Sequence, residues 1–321
     1  MRVPSIIERV LTSEVFISQP PVILDLGAAG DDRRWSDIAG FSSLIAIDAD
    51  VRDFGSQTKR STQWHRRLLF NECVASESLP EINFYLTADP HCSSTLPPMT
   101  QDLDPWIFSR NFETVKVVSM PAVTPTELLA RAGVSYVDWI KFDTQGTDLR
   151  LLRNLPEDVW RGAGVIQMEP GILSAYQGED KLHHVLQHFD AEDFFLSSLD
   201  SRGTQRVSAE EWGKLNAIIR RWPDQSLRPT AGWAEVTFVR AFLDRAGYSE
   251  RELMWGWVVS MLLGQWGHAI YVSQLARRHY ENSLFSVLEE EARRALAKTT
   301  KPALREAARR VTRRVLGRSA P

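Results

Sequence analysis

The sequence predicts an α/β protein built on an open, mostly parallel sheet with helices on both faces, extended by helices at its C-terminal end. Three observations carry this expectation. Short apolar runs such as VILDL, LIAI, YVDWIKF and AGVIQM stop at acids or glycine turns. They alternate with stretches of helical apolar spacing, the pattern of strands joined by crossover helices. A terminal strand-like pair, near Phe194 to Ser198 and Ala234 to Arg240, precedes a chain that reads as helical from Ala241 onward. The expected division is an N-terminal docking helix in residues 1–20, the sheet domain in 21–240, and a helical extension with a basic amphipathic tail in 241–321.

Each element has its own local reason. Between Ser5 and Phe16 the residues Ile6, Ile7, Val10, Leu11, Val15 and Phe16 recur at helical spacing, broken by Glu8, Arg9 and Glu14. Those charges rule out a signal-peptide core and predict an amphipathic helix. Val22 to Leu26 and Leu44 to Ile47 read as the first two strands. Leu68 to Ala75 reads as a third, pairing with Ile82 to Thr87 in a hairpin around Ser76 to Pro80. The polar stretch from Ala88 to Asp104 is long for an idle loop. After the short strand Val115 to Met120, Thr124 with Glu127 three residues on predicts a capped helix through Ala132. Tyr136 to Asp143 is a strand, Thr144-Gln145-Gly146 a turn, and Thr147 to Leu155 a helix with apolar Leu149, Leu152 and Leu155. Ala163 to Met168 is a strand ending at Glu169, and a helix follows from about Lys181 to Phe189.

Composition excludes several classes of function. The chain has 321 residues, 43% hydrophobic, and a formal net charge of −3, so no global basic field draws it to nucleic acid. Cys73 and Cys92 are the only cysteines, which offers neither a disulfide framework nor a thiolate metal site. A cytoplasmic location is expected. The apolar stretch around Trp255 to Leu263 is too short to span a bilayer. Lys298, Lys301, Arg305, Arg309 and further arginines to Arg318 face the single acid Glu306, with Leu304, Ala308, Val311 and Val315 on one side. Such a helix can lie on the anionic inner face of a membrane, although a solvated terminal helix is the plainer reading.

The stretch Val22 to Gly30, VILDLGAAG, carries the chemistry. Gly27 and Gly30 admit a ligand to the backbone, and a second strand tip carries Asp48 with Asp50 beside it. Ligands of open α/β sheets sit beyond the carboxyl ends of the strands, and an acid at the second tip hydrogen-bonds ribose hydroxyls. A nucleoside ligand is therefore expected. A nicotinamide cofactor wants G-x-G-x-x-G around a pyrophosphate, whereas Gly27-Ala28-Ala29-Gly30 is followed by Asp31 and Asp32. Those carboxylates, with Asp25, favour a ligand bearing an ammonium and a sulfonium, S-adenosylmethionine.

Several segments, taken in order, resemble the FkbM family of S-adenosylmethionine-dependent methyltransferases. They are Ile23 to Gly30, Ile45 to Asp50, the Ser93-Ser94 segment, Trp139 to Leu152 (WIKFDTQGTDLRLL), Val165 to Tyr176 (VIQMEPGILSAY) and Glu235 to Arg240. The most specific is the I-K-x-D-x-Q-G-x-D block from Ile140 to Asp148. The resemblance implies a class I methyltransferase (Rossmann-like) fold, a seven-stranded sheet whose last strand is antiparallel. It also implies methyl transfer to a hydroxyl of a sugar, glycan or related small molecule. Asp48-Ala49 stands where the family often has Glu-Pro, and Asp31 where it often has glycine.

The expected cofactor-binding residues are Asp25, Gly27, Ala28, Gly30, Asp48, Ala49 and Ser94. The expected catalytic residues are Asp143, Glu169 and His91, any of which could take a proton from a hydroxyl acceptor. Each has a plainer role: Asp143 as a cap of the following helix, Glu169 as a partner of Lys141 or a nearby arginine, His91 as a surface-loop histidine, and Ser93 and Ser94 as turn formers. Tyr176 reads as a half-buried aromatic beside the pocket. His184 and His188 have i, i+4 spacing without the flanking sequence of a metal pair, so no resident metal is expected. The alternative function is a binding or scaffold protein that keeps the fold without turnover. Acids at four strand tips favour the enzyme.

Overall fold

The computed structural model describes residues 5–28, 33–50, 52, 63–103, 106–218, 228, 230–243 and 247–298. Residues Glu14–Ala241 form one compact unit, and the described residues of 1–13 and 242–321 form a second. The N-terminal stretch expected as one helix is two, Ile6–Leu11 and Glu14–Ser18, broken where Thr12 folds its hydroxyl and amide back onto the Glu8 carbonyl. The first short helix belongs to the second unit and the next to the sheet unit.

The sheet unit is organised by seven strands: β1 Val22–Leu26, β2 Ser43–Ile47, β3 Arg66–Phe70, β7 Trp139–Phe142, β8 Val165–Met168, β9 Phe194–Arg202 and β10 Trp233–Arg240. Their order is β3-β2-β1-β7-β8-β10-β9. All neighbours are parallel except β10, which is antiparallel to both β8 and β9. This is the α/β architecture expected, with helices Pro125–Ala132, Asp148–Asn154, Glu157–Gly162 and Leu182–Phe189 along the sheet sequence. β1 and β2 are buried along their whole lengths, as strands covered on both faces must be. Leu24 and Leu26 join Ile140, Phe142, Leu151, Leu152 and Phe238 in one core, where each large side chain contributes roughly 1.5–3 kcal/mol. Phe189 stacks on Phe238 at 3.9 Å.

The chain places β2 and β3 on one side of β1 and returns to its other side with β7. That reversal is the switch point at which such sheets bind ligands. Gly27 marks it. Its φ is +80°, and a Cβ there would lie 1.9 Å from the Asp143 carbonyl oxygen, so only glycine lets β1 and β7 leave the sheet side by side. The amides of Gly27 and Ala28 both donate to the Ile47 carbonyl, at 3.0 and 3.1 Å.

One expectation is corrected. The run 68–75 does not form a hairpin with 82–87. Its first half is β3, parallel to β2 at the sheet edge, and its end is β4, Cys73–Val74. β4 pairs instead in a second, three-stranded sheet of order β4-β6-β5, with β5 Leu79–Thr87 antiparallel to β6 Thr114–Val123. The arginines of β3 and the polar Asn71-Glu72 break separate two strands that apolar content alone merges. The loop 88–104 and the turns after it connect β5 to β6.

In the second unit, helices Glu250–Leu262 and Trp266–His279 and a helix over 284–298 pack around Trp255, Trp257 and Phe285. The indole of Trp257 donates to the Leu288 carbonyl at 3.0 Å. Gly256 lies against the Phe242 ring, where a Cβ would sit 2.4 Å from a ring carbon. Among the described residues no helix is long and apolar enough to cross a membrane. The basic tail from Lys301 onward lies outside the described residues.

Gly27→Ala is expected to destabilise the protein by more than about 2 kcal/mol, because both left-handed backbone and a steric clash are imposed. Gly133→Ala serves as a reference: it also has positive φ, +70°, but nothing within 4 Å of the added carbon. It should lose only about 1 kcal/mol. Urea unfolding of both variants measures the difference. Equal losses would mean the Asp143 carbonyl is not the constraint.

Candidate functional site

Strand register builds the centre of the site. Asp25 on β1 is the direct neighbour of Lys141 on β7, and Asp143 follows two residues on, pointing to the same side. Lys141 is buried, and its ammonium lies 3.5 Å from Asp25 Oδ1 and 3.1 Å from Asp143 Oδ2. Burial works against its charge, but Asp143, Asp25 and Glu169 outweigh it and hold the ammonium above its usual pKa. Burial raises the Asp25 carboxyl, with Lys141 opposing. Asp25 Oδ1 accepts no hydrogen bond among the described residues.

Asp143 does not cap the following helix. Its Oδ2 accepts from Lys141 and its Oδ1 from Gln145 Nε2 at 2.8 Å. Asp148 does that local work instead: its Oδ1 accepts from the Thr144 amide and hydroxyl at 3.1 and 2.6 Å, and its Oδ2 from the Glu169 amide at 2.9 Å. One buried carboxylate thus ties the end of β7 to the end of β8. Gln145 sits at φ +55°, strained for a residue with a side chain. It is held by Ser94 Oγ on its carbonyl at 2.8 Å and by the Tyr176 hydroxyl on Oε1 at 3.0 Å.

At the tip of β2 the two acids divide. Asp50 is buried; desolvation pushes its carboxyl up, but Arg52 and Ser93 bring it below its usual value. Ser93 Oγ donates to Asp50 Oδ2 at 2.9 Å, and Arg52 reaches the Thr87 carbonyl, so this network anchors the β5 end to the main sheet. Asp48 is half-buried and accepts from the Asp50 amide at 2.7 Å. Burial, reinforced by Asp50, Asp143 and Asp25, raises it from 3.8 to about 7. Glu169 is also raised, by burial first and then by Asp143.

Two clefts open over these strand ends. The first, about 560 Å³, is lined by Gly27, Asp48, Ala49, Ser93, Thr144 and Thr147 among others. The second, about 1090 Å³, has walls that include Glu169, Tyr176, Phe108, Phe112 and Trp233. Asp143, Gln145 and His91 line both. The clefts therefore meet at the tip of β7.

No family model and no curated protein matches the chain. Among solved structures, an rRNA methylase from Streptococcus thermophilus is similar over 75% of this chain and 99% of its own, with 13% identity and a TM-score of 0.28. The plantazolicin methyltransferase BpumL in complex with SAH is similar over 73% of this chain and 85% of its own, also with 13% identity and a TM-score of 0.28. Likeness at that level bears no weight, and the functional reading rests on the geometry.

Of the residues expected at a ligand, Gly27, Asp48, Ala49, Asp143, Glu169 and His91 line the clefts. Asp25, Ala28 and Ser94 lie beneath them. Asp25 faces Lys141, Ala28 is fully buried, and the Ser94 hydroxyl is engaged by the Gln145 carbonyl and the Leu96 amide. Gly30, Asp31 and Asp32 lie outside the described residues. The expected plain partner of Glu169 is corrected: Lys141 pairs with Asp25 and Asp143. His188 packs on Trp160 at 5.4 Å rather than presenting a ring beside His184. Sequence reading missed Lys141 as a centre of the site, though a lysine amid the apolar WIKF is itself a signal. It also missed Phe108, Phe112 and Trp233, which come from two distant segments.

The Asp48 shift fixes a pH dependence. The folded protein keeps this proton between 3.8 and about 7, where the unfolded chain has released it. Stability therefore falls as pH rises through that window. Asp48→Asn removes the titration, so its melting temperature relative to wild type should climb from pH 4 to about pH 7. Parallel thermal melts of the ligand-free proteins would show this, and a constant difference would mean Asp48 ionises normally.

Proposed function

We propose that the chain is an S-adenosylmethionine-dependent O-methyltransferase of FkbM type, acting on a hydroxyl of a sugar, glycan or related small molecule. The observation that carries this reading is the meeting of two clefts at Asp143, Gln145 and His91, above the switch point of the sheet. One chamber suits a donor and the other an acceptor.

The first cleft fits a cationic nucleoside. Asp25, Asp143 and Glu169 act on one buried lysine, and Asp48 adds a fourth carboxyl within reach of Asp25 and Asp143, so the site holds more acids than the charges of Lys141 and Arg34 balance. A ligand bearing positive charge relieves that excess, whereas a pyrophosphate adds to it. Asp48 is the acid for ribose hydroxyls, because Asp50 is already committed to Arg52 and Ser93. Gly27 and Ala49 keep the walls low beside it. S-adenosylmethionine, when bound, supplies an electrophilic methyl on a sulfonium.

The chain's own residues supply orientation and proton removal. Lys141 and Gln145 engage both oxygens of Asp143, which suits it to a positioning role. Glu169 lines the acceptor cleft, and its raised pKa brings it toward neutrality, where a general base works best. In this reading Glu169 takes the hydroxyl proton as the acceptor oxygen gains the methyl.

Calorimetric titration tests the donor directly. S-adenosylhomocysteine is expected to bind and NAD not to; tight NAD binding, or no heat with S-adenosylhomocysteine, overturns the assignment. Asp48→Ala should weaken donor binding about tenfold, the loss of one or two charge-assisted hydrogen bonds. Glu169→Gln, which removes no contact to the ribose, should weaken donor binding less than Asp48→Ala and lower transfer of radiolabelled methyl to extracted glycans by about 10²–10⁴. Normal turnover in that variant places the base elsewhere.

A further inference from the structure

The second cleft says more about the acceptor than that it carries a hydroxyl. Its lining includes the carboxylates of Asp89, Asp143, Glu169, Glu179 and Glu235, and no lysine or arginine among the described residues. Three of the five are matched from behind: Asp143 by Lys141, Glu179 by Lys181 and Glu235 by Arg202. Glu179 also accepts from the Ala175 amide at 2.8 Å, which makes it part of the wall. Neither of the other two joins an ion pair among the described residues, and Lys141, which acts on Glu169 through space, is already held by Asp25 and Asp143. Among the described residues the Asp89 carboxylate accepts only from the His91 amide and pairs with no basic side chain, and the Glu169 carboxylate accepts no hydrogen bond and joins no ion pair.

The cleft also has an aromatic wall. Trp233 meets Phe108 edge-on at 6.2 Å, Phe108 lies 5.8 Å from Phe112, and Phe112 lies 5.5 Å from Tyr176. These four rings form one continuous surface, contributed by β10, the segment before β6, and the loop after β8. Aromatic faces stack on the apolar face of a sugar-like ring and attract cations through their quadrupole.

Resting on the methyl-acceptor reading of this cleft, we propose that the acceptor is aminated. It carries an ammonium group near the methylated hydroxyl, as an amino sugar or a related aminated ring does, and phosphorylated or otherwise anionic acceptors are rejected. Glu169 and Asp89 supply the negative charge that such a group pairs with, and the aromatic wall supports its ring. A phosphate in the same space would face five carboxylates with every nearby cation already paired behind the wall. This narrows the acceptor class, since sugar nucleotides and lipid pyrophosphate-linked sugars both bring anionic charge. The pairing also has a chemical use: an ammonium beside Glu169 favours its ionised form, the form able to take the hydroxyl proton.

The test uses the full-length protein and three matched probes: a glucosamine oligosaccharide, its N-acetylated counterpart, and its 6-phosphorylated counterpart. Binding is measured by calorimetry with and without S-adenosylhomocysteine. The glucosamine oligosaccharide is expected to bind at least about tenfold more tightly than the N-acetylated one, a charge-assisted contact's worth. Added salt should shrink that advantage, and the phosphorylated probe should not bind. Glu169→Gln and Asp89→Asn should each reduce the preference, and a circular dichroism melt of each confirms that it folds. Equal or tighter binding of the N-acetylated or phosphorylated probe overturns the proposal, as does failure of the glucosamine probe to bind at its highest soluble concentration. Binding of S-adenosylhomocysteine is read separately. Its absence with the amine preference intact removes the methyl-transfer reading and leaves the cleft's charge selectivity standing; the opposite result does the reverse.

Discussion

A single buried ammonium, that of Lys141, sets the terms for the rest of the site. A lysine in a central strand loses its hydration, a penalty of several kcal/mol that only close opposite charge offsets. Asp25 from the adjacent strand and Asp143 from the strand tip supply that charge at 3.5 and 3.1 Å. The arrangement works only in one register, since a one-residue slip would turn Lys141 to the other face of the sheet. The ion group therefore locks β1 to β7 at the point where the chain reverses direction across the sheet, and it fixes one oxygen of Asp143 before any ligand arrives.

From that fixed point the loop after β7 is determined almost atom by atom. Gln145 holds the other Asp143 oxygen and adopts a left-handed backbone, which Ser94 and Tyr176 stabilise from the inserted segment and from the loop after β8. Gly27 leaves room for the Asp143 carbonyl. Asp148, beneath, ties the turn to β8. The three-stranded sheet between β3 and β7 is attached through Asp50, Arg52 and Ser93, and from it the residues near His91 reach both clefts. Strain at Gln145 is thus supported on three sides, the condition under which a strained residue persists at a functional position.

The parts of this structure that were legible in sequence are those governed by local rules. β1, β2, β7 and β8 show as apolar runs because both their faces are covered, and the helix after Thr124 shows because its capping box is local, with Glu127 and Thr124 exchanging hydrogen bonds. The misjoined hairpin at 68–75 shows the limit. Strand content was read correctly, but the choice between partners depended on which sheet each half could reach. Asp25 and Ser94 were legible as chemically interesting, but nothing local reveals that Asp25 faces a buried lysine on the neighbouring strand or that the Ser94 hydroxyl donates to a backbone carbonyl 51 residues away in the chain. The aromatic wall was illegible for the same reason. Its rings acquire meaning only when three distant segments converge.

Charge then connects the two clefts. Burial first, and neighbouring acids after it, leave Asp48 and Glu169 protonated further toward neutral pH than exposed carboxyls would be. Such a site is poised. A cationic ligand arriving in either cleft lowers the energy of the ionised carboxylates, so binding and ionisation reinforce each other, and a charge placed in one cleft is felt in the other through Asp143, which lines both. A dinucleotide would invert this logic, since its pyrophosphate would raise those carboxyls further and meet no unpaired lysine or arginine among the described cleft residues. In the proposed reaction, burial and the neighbouring Asp143 hold the proton on Glu169, and a cationic ligand beside it favours the ionised form, which would couple proton removal to the presence of both reactants.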